Sequence, residues 1–117
     1  MKFMLVQKRQ QYCQTLEKAR DEIIHRLAEI PEVIQAILFG SYAAGRRDLF
    51  TDIDLIVIME SDQEVVQRTA QLYQKLQSGV DLDLLVYTPE EFERMRQRSF
   101  LHHALTTGQV IYEKKRA

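Results

Sequence analysis

With 117 residues, 45% of them hydrophobic, the chain is sized for one domain, residues 1–117, that closes a core without disulfides or a structural metal. Its 16 basic and 17 acidic side chains give a formal charge of −1, which excludes a global pull toward nucleic acid or an anionic membrane, so partners must be recognised locally and direct nucleic-acid binding is not expected. Cys13 is the lone cysteine, which excludes an internal disulfide and fits a reducing cytoplasm, the expected location, while the apolar patch ending at Val6 is too brief for a signal peptide or membrane span.

The first element is a helix over about residues 8–30, because Tyr12, Leu16, Ala19, Ile23, Leu27 and Ile30 recur at intervals of three and four. Cys13 on this helix reads as a packing residue, His25 lies on its polar side, and Pro31 follows its end. Val33 to Phe39 reads as a buried strand that stops abruptly at Gly40-Ser41. A short helical or looped connector leads to a second strand, Ile53 to Met59. Ser61 and Glu64 have capping-box spacing and predict a helix whose apolar face is Val65, Val66, Thr69, Leu72, Tyr73 and Leu76, ended by Gly79. A third strand, Leu82 to Tyr87, precedes a second capping box, Thr88 and Glu91, with Pro89 where a missing N–H costs nothing. A helical segment through Ser99, Phe100, Leu101 and Leu105 ends at Gly108, and Gln109 to Glu113 reads as a short edge strand before a frayed Lys114-Lys115-Arg116 tail. The order implies an α/β (α+β) fold: a mixed sheet of about four strands covered by helices on one face.

Two places in this layout carry chemistry. The sharp turn after the first strand presents backbone amides and the Ser41 hydroxyl, groups that suit a phosphate, and Gly40 lets the backbone approach without a Cβ in the way. Asp52 and Asp54 open the second strand two residues apart, so both carboxylates project from the same face, where hard cations such as Mg2+ bind. Arg46 and Arg47 follow within reach of the same phosphates, and one of the two is expected to touch them. Tyr42 is placed either to stack on a base, to touch the acceptor or to cover the turn.

The pattern Gly40-Ser41-x10-Asp52-x-Asp54 resembles the signature of the nucleotidyltransferase superfamily that includes DNA polymerase beta, and especially its minimal nucleotidyltransferase branch. Four fixed positions at average residue frequencies occur by chance in roughly one chain of this length in a thousand. The resemblance spans about Val33 to Glu113 and implies the nucleotidyltransferase fold, with the catalytic core at about 33–113. It also implies a third acid a few residues before the Thr88-Pro89-Glu90-Glu91 helix start, a place that Asp83 fills better than Asp81, which reads as a neighbour of the metal site or a solvated charge. Two Mg2+ ions held by Asp52, Asp54 and Asp83 would serve attack of an acceptor hydroxyl on the α phosphorus of a nucleoside triphosphate, ATP by default, with Asp83 taking the proton. Ala44 departs from the basic residue many relatives carry before Gly45, and Thr51 replaces a more usual serine.

Relatives that modify aminoglycosides or transfer RNA carry an added domain for the acceptor, so the acceptor here is expected on a second protein or a second copy of the chain. Stand-alone members resemble antitoxins paired with an all-helical HEPN-type ribonuclease toxin, and the resemblance implies transfer of AMP to a tyrosine of that toxin. Two alternatives are a masking antitoxin without catalysis and the catalytic subunit of a two-chain enzyme acting on an aminoglycoside-like molecule. His102 and His103, adjacent on a helix, point in different directions and form no metal site, and Arg94, Arg96 and Arg98 read as a solvated face.

Overall fold

The computed structural model describes residues 2–115, with side chains from residue 4 onward; Arg116 of the basic tail lies outside the described residues. Helix α1 spans Lys2–Ala28, starting earlier than the apolar stripe suggests because no glycine or proline interrupts the stretch before it. Its first turns stand clear of the globule, with residues 4–11 all exposed, whereas Leu16, Ala19, Ile23 and Leu27 are buried against the sheet. Strand β1, Val33–Phe39, runs into the one-turn helix α2, Gly40–Ala43, and a loop leads to β2, Ile53–Met59. There follow α3, Val65–Leu76; β3, Leu82–Tyr87; α4, Pro89–Met95; α5, Ser99–Thr107; and β4, Gln109–Glu113. The sheet order is β3-β2-β1-β4, with β1 antiparallel to β2 and β4, and β2 parallel to β3. The mixed four-stranded sheet and its edge strand β4 are as the sequence implies.

Helices cover both faces of the sheet, a correction to the one-sided expectation. Ile53, Leu55 and Val57 of β2 pack with α1 and α3, while Ile56 and Ile58 pack with Phe92 of α4 and with Leu101 and Ala104 of α5. A strand buried on both faces needs an apolar residue at every position, which accounts for the unbroken run from Leu55 to Ile58.

Helix α3 also departs from its expected phase. Ser61 turns its hydroxyl onto the Gln63 amide (3.1 Å), and Glu64 occupies the N-cap without a side-chain bond, so no capping box forms. Val65 and Val66 face water; Arg68, Leu72 and Leu76, spaced by four, face the core. Gln77, at φ 43°, ends the helix two residues ahead of Gly79. At the start of α4 the predicted Thr88/Glu91 capping box does form.

Among the described residues Arg68 is the one buried cation, at 4% exposure, ion-paired to Glu91 and bonded to the carbonyls of Val86 (3.2 Å) and Gln63 (3.2 Å). The Thr88 amide first, and the Arg68 guanidinium after it, hold the Glu91 carboxyl below the usual carboxylate range. Replacing Glu91 with Ala strips a buried cation of its counter-charge and α4 of half its cap. We expect it to cost about 2–3 kcal/mol, read as a lower urea midpoint, with Glu91→Gln losing less because its amide oxygen still caps.

Candidate active site

Phe39, Asp54 and Asp83 stand in one row across the sheet: Phe39 is the register partner of Asp54 on the antiparallel side, and Asp83 is its partner on the parallel side. Directly opposed residues of neighbouring strands share a face, so the two carboxylates project together on the α4/α5 side, at the end of β2 where the chain enters. Asp52 lies just before β2, half-buried, and Asp83 is exposed. Asp81 is exposed as well, and its carbonyl accepts the amide of Ile53 (3.1 Å), which ties the starts of β2 and β3 together.

The neighbouring acids and partial burial alter Asp54. The Asp54 carboxyl is pushed up to about 6, by burial first, then by its hydrogen bond and charge interaction with Asp83 and by the charge of Asp52. A carboxyl whose folded value exceeds its unfolded one favours the protonated form, so its charge costs stability, and that cost appears as pH rises from about 4 to about 6 and stays constant above. In a chelator, Asp54→Asn is therefore expected to raise stability at pH 7 by about 1 kcal/mol after allowance for solvent screening, and to give no advantage at pH 4. Paired urea titrations at the two pH values check this.

Gly40 opens α2 at φ +78°, and a Cβ built there would lie 3.1 Å from Asp54 Cγ and overlap Oδ2. The glycine is thus required twice, by its backbone angle and by the carboxylate resting against it. The turn closes through the Ala44 amide on the Gly40 carbonyl (3.1 Å) and the Arg46 amide on the Ser41 carbonyl (2.9 Å). Ser41 is half-buried at its start. Tyr42 is only 2% exposed, with its hydroxyl accepting from Arg20 (3.3 Å), so it covers the turn from beneath.

The two loop arginines part company. Arg47 lies 3.7 Å over the Tyr42 ring and donates to the carbonyls of Tyr42 and Arg46 (both 2.8 Å), which commits it to holding the loop. Arg46 is exposed and pairs with the surface carboxylate of Asp48 (2.7 Å). Cys13 packs its thiol on the Arg47 carbonyl (3.6 Å).

Support from α1 is the feature that sequence reasoning missed. The Tyr12 hydroxyl donates to the carbonyl of buried Thr51 (2.8 Å), immediately before Asp52, and Arg9 donates to the Arg47 carbonyl (3.2 Å). Thr51 in turn donates to Asp48 (3.1 Å) and accepts the Asp48 amide (3.0 Å), so the small hydroxyl before the first acid locks the loop. Burial first, then the charges of Asp52, Asp81 and Asp48, raise the Tyr12 phenol above its ordinary value. The available signal was a polar-tipped aromatic at the end of an aliphatic stripe. His102 and His103 are exposed and His25 pairs with Glu29 (3.1 Å) on the surface.

Hard oxygen donors on adjacent strands suit Mg2+ in chemistry. Among the described residues, however, no three His, Cys, Asp or Glu side chains converge into a ready-made cage. Mg2+ commonly binds through one or two carboxylates and completes its shell with water and substrate phosphates, and an open acid pair beside a glycine turn fits that mode.

Two acids of neighbouring strands, fronted by a glycine turn on a helix-covered mixed sheet, form the candidate site of a nucleotidyltransferase-type fold. Residues 21–117 match the family described as Polymerase beta, Nucleotidyltransferase; the chain belongs to that family and is a nucleotidyltransferase. A candidate protein adenylyltransferase of Methanocaldococcus jannaschii is 31% identical over 99 residues, covering 82% of this chain and 97% of the relative. A candidate nucleotidyltransferase of Sulfolobus solfataricus shares the fold, with a TM-score of 0.58 at 14% identity over 94% of this chain and 87% of that one. A chain of the MntA–HpeT toxin–antitoxin complex aligns with a TM-score of 0.51 at 26% identity, over 81% of this chain and 72% of its own. A chain from the Shewanella oneidensis complex of a tri-AMPylated HEPN toxin with MNT antitoxin also shares the fold, with a TM-score of 0.51 at 24% identity over 85% and 73%. Among the described residues no helix is long and apolar enough to cross a membrane.

Proposed function

We propose that this nucleotidyltransferase moves AMP from ATP to a tyrosine hydroxyl of an all-helical HEPN-type toxin and thereby neutralises it as an antitoxin. The observation that carries the catalytic part is the Asp54–Asp83 row with Gly40 seated against it, since a masking protein has no need of a glycine held to a carboxylate. The partner is supported by the company the chain keeps: a relative named as a protein adenylyltransferase and a fold neighbour captured with a tri-AMPylated HEPN toxin.

In this reading Asp52, Asp54 and Asp83 would hold two Mg2+ ions, which when bound neutralise charge on the attacking and leaving oxygens. Gly40 admits the β and γ phosphates to the turn, and Ser41 donates its hydroxyl to them. Arg46 reaches the same phosphates by exchanging the Asp48 carboxylate for them, while Arg47 keeps the loop in place from Tyr42. The acceptor oxygen attacks the α phosphorus in line, its bond to AMP forms as the bond to pyrophosphate breaks, and exposed Asp83 takes the hydroxyl proton and passes it to water.

The test is transfer of label from α-labelled ATP, with Mg2+, onto an all-helical HEPN-type toxin supplied as acceptor. Label on a tyrosine of that protein is the expected result. No label, together with an Asp52→Asn/Asp54→Asn chain that still silences the partner, would replace this reading with a masking antitoxin.

A further inference from the structure

The carboxylate face carries an aromatic pair, one ring packed on the core and the other open to solvent. Phe39 ends β1 in the same row as Asp54 and Asp83 and is half-buried against the helices of that face. Phe100, the second residue of α5, stands edge-on to it, with ring centroids 5.7 Å apart and planes at 87°. Leu101 and Ala104 of the same helix are buried, yet Phe100 is 54% exposed. Its ring is thus held in place by Phe39 on one side and open to solvent on the other, on the sheet face that carries the acids, which is what a stacking surface requires. Phe39 also precedes Gly40 directly, so the inner ring of the pair is carried by the residue next to the turn, and Phe100 lies against that ring.

Resting on the nucleotidyltransferase reading above, the geometry points to Phe100, backed edge-on by Phe39, as the stacking platform for the nucleobase of the bound nucleoside triphosphate. Tyr42, the sequence candidate for stacking, is sealed beneath the turn with Arg47 on its ring, and offers no free face. Phe50 is 80% exposed, but it sits in the loop before Asp52 with no aromatic partner among the described residues to hold it. A phenyl platform reads ring area and not hydrogen-bonding edges, so purine triphosphates should bind more tightly than pyrimidine ones.

Calorimetric titration of the full chain in Mg2+ with ATP and with inorganic tripolyphosphate, which has the phosphates without a base, separates the two halves of the nucleotide. The native chain should bind ATP more tightly than tripolyphosphate. Phe100→Ala should weaken ATP about tenfold or more and leave tripolyphosphate unchanged, with Phe100→Tyr restoring ATP. The chain has no tryptophan, so Phe100→Trp supplies a single reporter whose emission should be quenched by ATP and not by tripolyphosphate. Undiminished ATP binding in Phe100→Ala, or a base-dependent loss in Phe50→Ala alone, would overturn the platform while leaving the nucleotidyltransferase reading intact. Equal loss of both ligands in Phe100→Ala would overturn it too, because the ring would then be serving the phosphate turn. A native chain that binds neither ligand would overturn the platform together with the reading it rests on.

Discussion

Asp54→Asn is expected to lower nucleotidyl transfer by at least about a thousand-fold while leaving the fold intact, and Asp52→Asn to follow it closely. The reason is position. Asp54 lies between Asp83 on β3 and Gly40 at the turn, so its carboxylate is the group common to the acid pair and the proposed phosphate site. An amide keeps the shape but removes the negative charge that a divalent cation requires. Asp83→Asn should cost about a hundred- to ten-thousand-fold, the usual range for losing a proton acceptor, and its deficit should shrink as pH rises and the acceptor hydroxyl ionises unaided. Asp81→Asn is the control, because the structure uses that residue through its carbonyl and leaves its side chain exposed; transfer should stay near the native rate. Turnover measured with α-labelled ATP at fixed Mg2+ orders the four variants. Native-like transfer by Asp54→Asn would remove the acid pair from the mechanism.

The acids and the turn were legible in sequence because their requirements are local. A Gly-Ser pair at the end of an apolar run and two acids one residue apart at the start of the next need no knowledge of distant contacts. That Asp83 stands beside Asp54 and not one residue off depends on the register of two parallel strands joined through α3, and no periodicity encodes a register when both strands are apolar on both faces. The same ambiguity hid the second helical layer, since Ile56 and Ile58 look like the residues that alternate with them. In α3 the failure was of another kind. A buried arginine is invisible to a hydrophobic pattern, and Arg68 turns inward only because Glu91, at the cap of α4, waits for it. Two identical capping-box patterns met different fates: Thr88 finds the Glu91 amide, whereas Ser61 is spent on a nearer one. The contribution of α1 to the site was likewise tertiary, a phenol reaching a carbonyl 39 residues away.

Gly40→Ala should injure both stability and catalysis, and the comparison with Gly45→Ala separates the two effects. Both glycines have positive φ, +78° and +98°, where a side chain costs about 1–2 kcal/mol of backbone strain. Each variant should therefore melt about 5–10 °C below the native chain. Only at position 40 does the new methyl meet anything: it would overlap the Asp54 carboxylate, whereas nothing lies within 4 Å of a Cβ at position 45. To admit the methyl, either the turn must withdraw from the proposed phosphate position or Asp54 must rotate out of line with Asp83. A displacement of about 1 Å in either group is worth roughly a hundred-fold in rate. Gly40→Ala is thus expected to lose at least that much transfer at temperatures where it is fully folded, and Gly45→Ala to keep most of its activity despite a similar melting temperature. Equal activities in the two variants would mean that the closeness of Gly40 to Asp54 is packing without catalytic consequence, and would return the burden of phosphate binding to Ser41 and Arg46.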